Sequence, residues 1–169
     1  AAHASYYNYG YLYLQEIEAP KYLIGVIINI AVLAEIAFFA IADRKFGRYS
    51  VGSLLAIASL GSTIRWILVF AFPSVIMFSI AQLLHSLSFA MGHYAFMKYL
   101  IKFIPSSQGA KAQGLYSAFA LSWSTAIFTV FGGYLYEIKP QYAFLGMIVC
   151  TIPSMLLALY YRKQEQQTL

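Results

Sequence analysis

Residues 21–43 read KYLIGVIINIAVLAEIAFFAIAD, an unbroken apolar run with one charged side chain, Glu35, between Lys21 and Asp43 at its ends. As a helix this run rises about 35 Å, enough to cross the ~30 Å hydrocarbon core of a bilayer. Glu35 is then a charge held inside a membrane span. Charge at that depth is expensive, so it marks a place to look for function.

Comparable runs fill the rest of the chain. Apolar helices are expected over approximately 1–17, 21–43, 50–71, 74–103, 108–136 and 141–161, the first cut short by Gln15-Glu16. The runs are continuous and lack ten-residue alternation, which favours helices over a barrel. With 61% hydrophobic and only 10% charged residues, the composition departs from the soluble mix in the same direction. The fold class is all-α, a polytopic membrane protein of six transmembrane helices in one compact unit. Ala19-Pro20, Phe72-Pro73-Ser74, Ile104-Pro105 and Lys139-Pro140 mark the helix ends, because proline donates no ladder hydrogen bond and restricts the residue before it. The chain starts Ala-Ala-His without an initiator Met or signal-peptide pattern, and is read as a piece of something longer.

Cations set the orientation. Arg44, Lys45, Arg48, Lys98, Lys102, Lys111, Arg162 and Lys163 fall on one side of the expected spans, and only Lys21 and Lys139 on the other. By the positive-inside rule both termini are cytoplasmic. The same bias, facing anionic lipid, accounts for the net charge of +5, so no nucleic-acid partner is implied. The lone Cys150 excludes an internal disulfide and a cysteine metal cluster, and is expected to be buried filler. No cofactor or metal is expected. The polar end Gln164-Glu165-Gln166-Gln167 reads as a solvated tail.

Among the polar side chains inside the spans, Arg65, Gln82, His85 and His93 can be ranked by depth with Glu35. Counted from the outer end of each helix, the depth order is Arg65, Gln82, His85, Glu35, His93, which puts His85 between Arg65 and Glu35. At 100° per residue Gln82, His85 and His93 share one stripe, expected to face protein or water. A carboxylate in low dielectric gains or loses a proton when a neighbouring cation moves, the physics of a proton-coupled carrier. Histidine can relay that proton, and an always-charged arginine can neutralise the acid or clamp an anionic ligand. Glu35, His85 and Arg65 are therefore the proton-coupling candidates. The alternative is a structural ion group that locks the helices together, although the depth difference argues against a direct Glu35–Arg65 pair. For His93, a helix-bonding or snorkelling role is expected.

The first span carries a second polar cluster: His3, Tyr6, Tyr7, Asn8, Tyr9, Tyr11, Tyr13 and Gln15. Rings with hydroxyl tips suit a water-filled cavity that holds a sugar or an aromatic molecule. An interfacial belt accounts for Tyr11 and Tyr13 but not for His3 or Asn8. Candidate solute contacts are His3, Tyr7, Asn8 and Tyr11, with Gln82, His85 and Arg65.

The stretches from His3 to Gln15, Leu33 to Phe39, Ile64 to Trp66, Gln82 to His93, Ala112 to Ala118 and Gly132 to Glu137 together resemble the C-terminal half of a major facilitator superfamily transporter. The branch they resemble holds lactose permease and the 3-phenylpropionate permeases. The resemblance implies two inverted three-helix repeats, half of a twelve-helix fold that works by alternating access with an N-terminal six-helix half or a second copy. It also implies a bacterial inner (cytoplasmic) membrane. The family places an acid on the second helix of this half, an arginine on the third and a histidine with a nearby acid on the fourth; Glu35, Arg65 and His85 fill the first three roles. Ser88 stands where the fourth-helix acid is sought, which shifts the coupling role to Glu35. Asp43-Arg44-Lys45-Phe46-Gly47-Arg48, in the loop after the second helix, resembles the superfamily's cytoplasmic gating motif, so Asp43, Arg44, Gly47 and Arg48 are implied to govern conformation.

The expected function is secondary transport, as proton symport of a small organic solute: an aromatic acid, a sugar or a nucleoside. An enzyme is not expected, because neither Gly52-Ser53 nor Gly61-Ser62 fits the Gly-x-Ser-Gly opening of an intramembrane serine protease. A non-transporting membrane scaffold is the alternative, but it needs no buried Glu, Arg and His at staggered depths.

Overall fold

The computed structural model describes residues 1–167. Its helices in chain order are α1 (Ala4–Glu16), α2 (Lys21–Phe46), α3 (Val51–Ala71), α4 (Val75–Phe103), α5 (Ser106–Ile138) and α6 (Pro140–Gln167), and no strand occurs among the described residues. Five of them, α2 to α6, are long and apolar enough to cross a membrane. α1 has 13 residues. Its rise of about 20 Å falls short of the hydrocarbon thickness, so length alone does not make it a span.

Local chemistry starts and stops these helices. Pro20 precedes α2 and Pro140 opens α6, where a missing N–H costs nothing. Ser50 and Ser74 cap α3 and α4, each hydroxyl accepting from a backbone amide of the first turn, Ser53 and Met77 respectively, at 3.2 Å. α1 ends where Glu18 takes a left-handed conformation, φ 58°, and the Ala19 amide donates back to Leu14 at 2.9 Å. α2 continues to Phe46 because no helix breaker precedes Gly47. Asp43, Arg44 and Lys45, expected in a loop, thus occupy its last turn.

α3 is the central post. Trp66 and Val69 join Tyr13, Phe78, Phe144 and Met147 in an apolar cluster at one end, and Leu54 and Ala58 join Phe38, Met91 and Ala95 in a second at the other. Arg65 lies on α3 between the two. α3 and α6 run antiparallel in close contact: Ser59 donates to Ser154 at 3.2 Å, Thr63 donates to Thr151 at 2.8 Å, and Gly52 abuts the Arg162 backbone. Gln164, Gln166 and Gln167 of the expected solvated tail are exposed, but the tail is helical and its Glu165 has a structural partner. Residues 164–167 continue α6, and the Glu165 carboxylate accepts from the Gly52 amide at 2.8 Å, satisfying an otherwise open donor at the start of α3.

A Cβ at Gly52 would lie 2.6 Å from Arg162 backbone atoms, whereas one at Gly25 meets nothing within 4 Å. Gly52→Val should therefore cost about 1–3 kcal/mol through overpacking. In detergent its thermal midpoint should fall by several degrees, while Gly25→Ala leaves the midpoint unchanged or higher.

Candidate transport site

Arg65 is 0% exposed, and four helices converge on it. Its Nη1 contacts His85 Nδ1 on α4 at 2.5 Å, and its Nη2 donates to Gln82 Oε1 one turn earlier at 2.6 Å. The Tyr6 ring from α1 and the neighbouring Trp66 ring lie 4.6 and 4.4 Å from the guanidinium carbon. Such faces stabilise a desolvated cation through the ring quadrupole. Gln82 donates onward to the Tyr6 hydroxyl at 3.0 Å. On the far side of His85, Nε2 meets Glu35 Oε1 from α2 at 2.7 Å.

These contacts determine the state of His85. Arginine has only donors, so His85 Nδ1 must accept and carries no proton. Nε2 then holds the hydrogen and donates it to the Glu35 carboxylate. The imidazole is neutral, suspended between a fixed cation and an acid. It cannot take a second proton without breaking its bond to Arg65. Glu35, whose side chain is 23% exposed, is the end of the chain with access to the outside. Glu35 and Arg65 thus meet through His85 and not directly.

α4 is locally unwound where this happens. Ser86–Ala90 form a π-helix just after His85. Ser86 donates to the Leu83 carbonyl at 2.8 Å and Ser88 to that of His85 at 3.2 Å, so hydroxyls satisfy carbonyls that the altered ladder loosens. The expected stripe persists past His85: the rings of His85, Phe89 and His93 stack in succession, with centroids 5.3 and 6.4 Å apart, and His93 lines a cavity. Gln82 and His85 turn toward Arg65.

That cavity, about 450 Å³, lies beside the buried chain. Its walls include His3, Tyr7, Ser62, Phe89, His93 and Tyr116. Cys150, expected as buried filler, is half-buried and lines it too. His3 joins cavity to network. Its ring stands edge-on to His85 at 5.0 Å, and its Nε2 lies 3.1 Å from the Ser88 hydroxyl. Because Ser88 spends its hydrogen on the His85 carbonyl, His3 is the donor in that pair. The buried Ser62 hydroxyl has no partner among the described residues.

The MFS_1 like family matches residues 1–146. The chain belongs to that family. It is 32% identical over 159 residues to the probable 3-phenylpropionic acid transporter of Escherichia coli (strain K12), covering 92% of this chain and 41% of that protein. It is 29% identical over 168 residues to the maltose permease of Geobacillus stearothermophilus, covering 98% and 41%. With the uncharacterized transporter YwbF of Bacillus subtilis (strain 168) the figures are 25% over 160 residues, 94% and 40%. The chain therefore spans about two fifths of the length of these relatives. No solved structure matches it significantly.

In this MFS_1 like chain all the expected site residues but Asn8 and Tyr11 fall in three places. Glu35, Arg65, Gln82 and His85 form the buried network; His3 and Tyr7 line the cavity. Asn8 and Tyr11 do neither. Asn8 donates to the Ala4 carbonyl at 2.9 Å and to Thr129 at 2.8 Å, tying α1 to α5, and Tyr11 is 51% exposed outside the cavity lining. Asp43, Arg44, Gly47 and Arg48 sit at the far end of α2. There Tyr94 donates to the Asp43 carboxylate at 2.7 Å, and Lys98 donates to the Gly47 and Tyr49 carbonyls at 2.6 Å each. Tyr94 and Lys98, four residues apart on α4, were not expected. Their spacing puts both on one helix face, the one signal that could have found them. Tyr6 and Trp66 were also missed as site residues, though both lie in stretches that carry the family resemblance.

Arg65→Met leaves the Glu35 carboxylate without its cation and strips partners from His85 Nδ1 and Gln82 Oε1. A loss of about 3 kcal/mol is expected. The double variant Arg65→Met/Glu35→Gln should recover a large part of it in the same thermal-unfolding assay, because the unpaired charge is gone. Arg65→Lys should not restore wild-type stability, since one ammonium cannot reproduce the planar fork.

Proposed function

We propose that the chain is the C-terminal, six-helix half of a secondary active transporter that carries a small organic solute together with a proton by alternating access. Its six spans form two inverted three-helix repeats, α1–α3 and α4–α6, in a bacterial inner membrane with both termini cytoplasmic. α1 and α4, which bring His3, Tyr7, Gln82 and His85, are the corresponding helices of the two repeats. The other wall of the pathway comes from an N-terminal six-helix half or a second copy of the chain. α5 supports this, since only 6% of its apolar window is buried within the chain.

The observation that carries the reading is the Arg65–His85–Glu35 chain beside a cavity. Glu35 is the proton carrier. When ionised it balances Arg65 through the neutral His85; when protonated it leaves Arg65 unbalanced and ready for a negative or electron-rich solute group. His3, against both His85 and the cavity, passes the solute's presence to the network. Aromatic rings and hydroxyls in the cavity suit an aromatic acid, a sugar or a nucleoside. Relatives named for 3-phenylpropionic acid and for maltose support the first two classes. At the cytoplasmic end, Asp43, Arg44, Gly47 and Arg48 act as a conformational gate, braced by Tyr94 and Lys98.

The test is solute-driven proton uptake by the full-length transporter in proteoliposomes, screened with 3-phenylpropionate, maltose and nucleosides. One solute class should alkalinise the outside medium. Glu35→Gln should abolish that signal while solute exchange without net proton movement survives. Transport indifferent to the pH gradient, or proton coupling intact in Glu35→Gln, would contradict the proposal.

A further inference from the structure

The seam between α3 and α6 has two sides. Ser59, Thr151 and Ser154 line the central cavity on one of them. On the other, Ser53, Ala56, Ile57 and Leu60 of α3 and Met155 and Leu159 of α6 enclose a separate groove of about 340 Å³. At about 100° per residue these α3 positions lie nearly opposite its cavity-lining face, so the groove opens away from the bundle. In a membrane chain that direction is hydrocarbon. The trough runs along α3 from Ser53 to Leu60, about 10 Å.

The two ends of the groove differ. Toward the middle of the membrane it is closed by Leu60 and Met155, which are apolar. At the other end stand Tyr49 and Arg162. Arg162 is exposed, and its guanidinium has no hydrogen bond or ion pair among the described residues. Arg48 and Lys163 adjoin these two in sequence, and Lys98 is held at the Tyr49 carbonyl. The nearby carboxylate of Glu165 is committed to the Gly52 amide. The mouth is therefore cationic, and the trough beneath it is apolar.

We propose that this groove is a binding site for an anionic phospholipid, with one acyl chain in the trough and the headgroup phosphate at Arg162. Charge complementarity selects the class. A zwitterionic lipid brings its own cation to a mouth already rich in them, whereas an anionic one neutralises Arg162. A bound lipid here would press on the seam that holds α6 against α3, at the same end as the Asp43–Arg48 segment. The inference does not depend on the transport reading.

The test is native mass spectrometry of the full-length protein in detergent, with dioleoylphosphatidylglycerol or dioleoylphosphatidylcholine added at equal concentration. Wild type should retain the anionic lipid about five-fold better than the Arg162→Gln variant does, the factor one arginine contributes at an anionic surface. Phosphatidylcholine should show no such difference. Arg162 is exposed and its guanidinium has no partner among the described residues, so this variant keeps the fold. Ala56→Phe, which fills the trough, should lower retention of the anionic lipid, and glycerophosphoglycerol, the headgroup without chains, should not displace it. Equal retention of phosphatidylglycerol by wild type and Arg162→Gln would overturn the proposal. So would displacement by glycerophosphoglycerol, which would reduce the site to one for a free phosphate.

Discussion

A guanidinium with no exposure to solvent, Arg65, is the constraint around which this bundle is arranged. Removing such a cation from water costs several kcal/mol, and the cost falls only if its hydrogen bonds and its charge are both answered nearby. The structure answers both terminal nitrogens and the charge from four helices, Nε alone finding no partner among the described residues: Gln82 and His85 on α4, the Tyr6 ring on α1, Trp66 on α3 itself and, through His85, Glu35 on α2. Two apolar clusters close the layer above and below. Because the carboxylate reaches the cation only through an imidazole, a change at Glu35 alters how well Arg65 is balanced. The cavity touches the same imidazole through His3. In the proposed symport, ligand and proton would act on one shared group, which is the physical requirement for coupling them.

Much of this was legible in the sequence. Glu35, Arg65 and His85 stand out because charged and titratable residues are rare in apolar runs, and their depth order already put the histidine between the other two. The order of polar residues from His3 to Glu137 pointed to the family that the whole-chain relatives belong beside. What could not be read is tertiary or depends on irregular backbone. The π-helix after His85 has no pattern in Ser86–Ala90 that separates it from an α-helix. Asn8 is polar in the middle of a tyrosine cluster, as a solute contact would be, but polar groups inside membranes serve equally to join helices, and it joins α1 to α5.

The basic end of the bundle shows the same division. Positive-inside counting explains why Arg44, Lys45, Arg48, Lys98, Arg162 and Lys163 gather there, but not what each one does. Lys98 closes the carbonyls after α2, and Arg162 stands at a groove. Glu165, which looked like part of a solvated tail, meets the first turn of α3 because α6 continues past the apolar run. Charge composition gathers these residues at one end; only packing assigns each its partner.

The central claim is that His85 is neutral, with its proton on Nε2 and its Nδ1 lone pair on Arg65. Nitrogen-15 NMR of histidine-labelled full-length protein tests it directly, the His85 signals being assigned by their loss in His85→Gln. The account predicts one His85 ring nitrogen with the shift of an unprotonated acceptor, Nδ1, and one protonated nitrogen, Nε2, coupled to the Glu35 carboxylate and perturbed in Glu35→Gln. An imidazolium with both nitrogens protonated, or a proton on Nδ1, would show that Arg65 does not hold His85 in this way, and the account would fail.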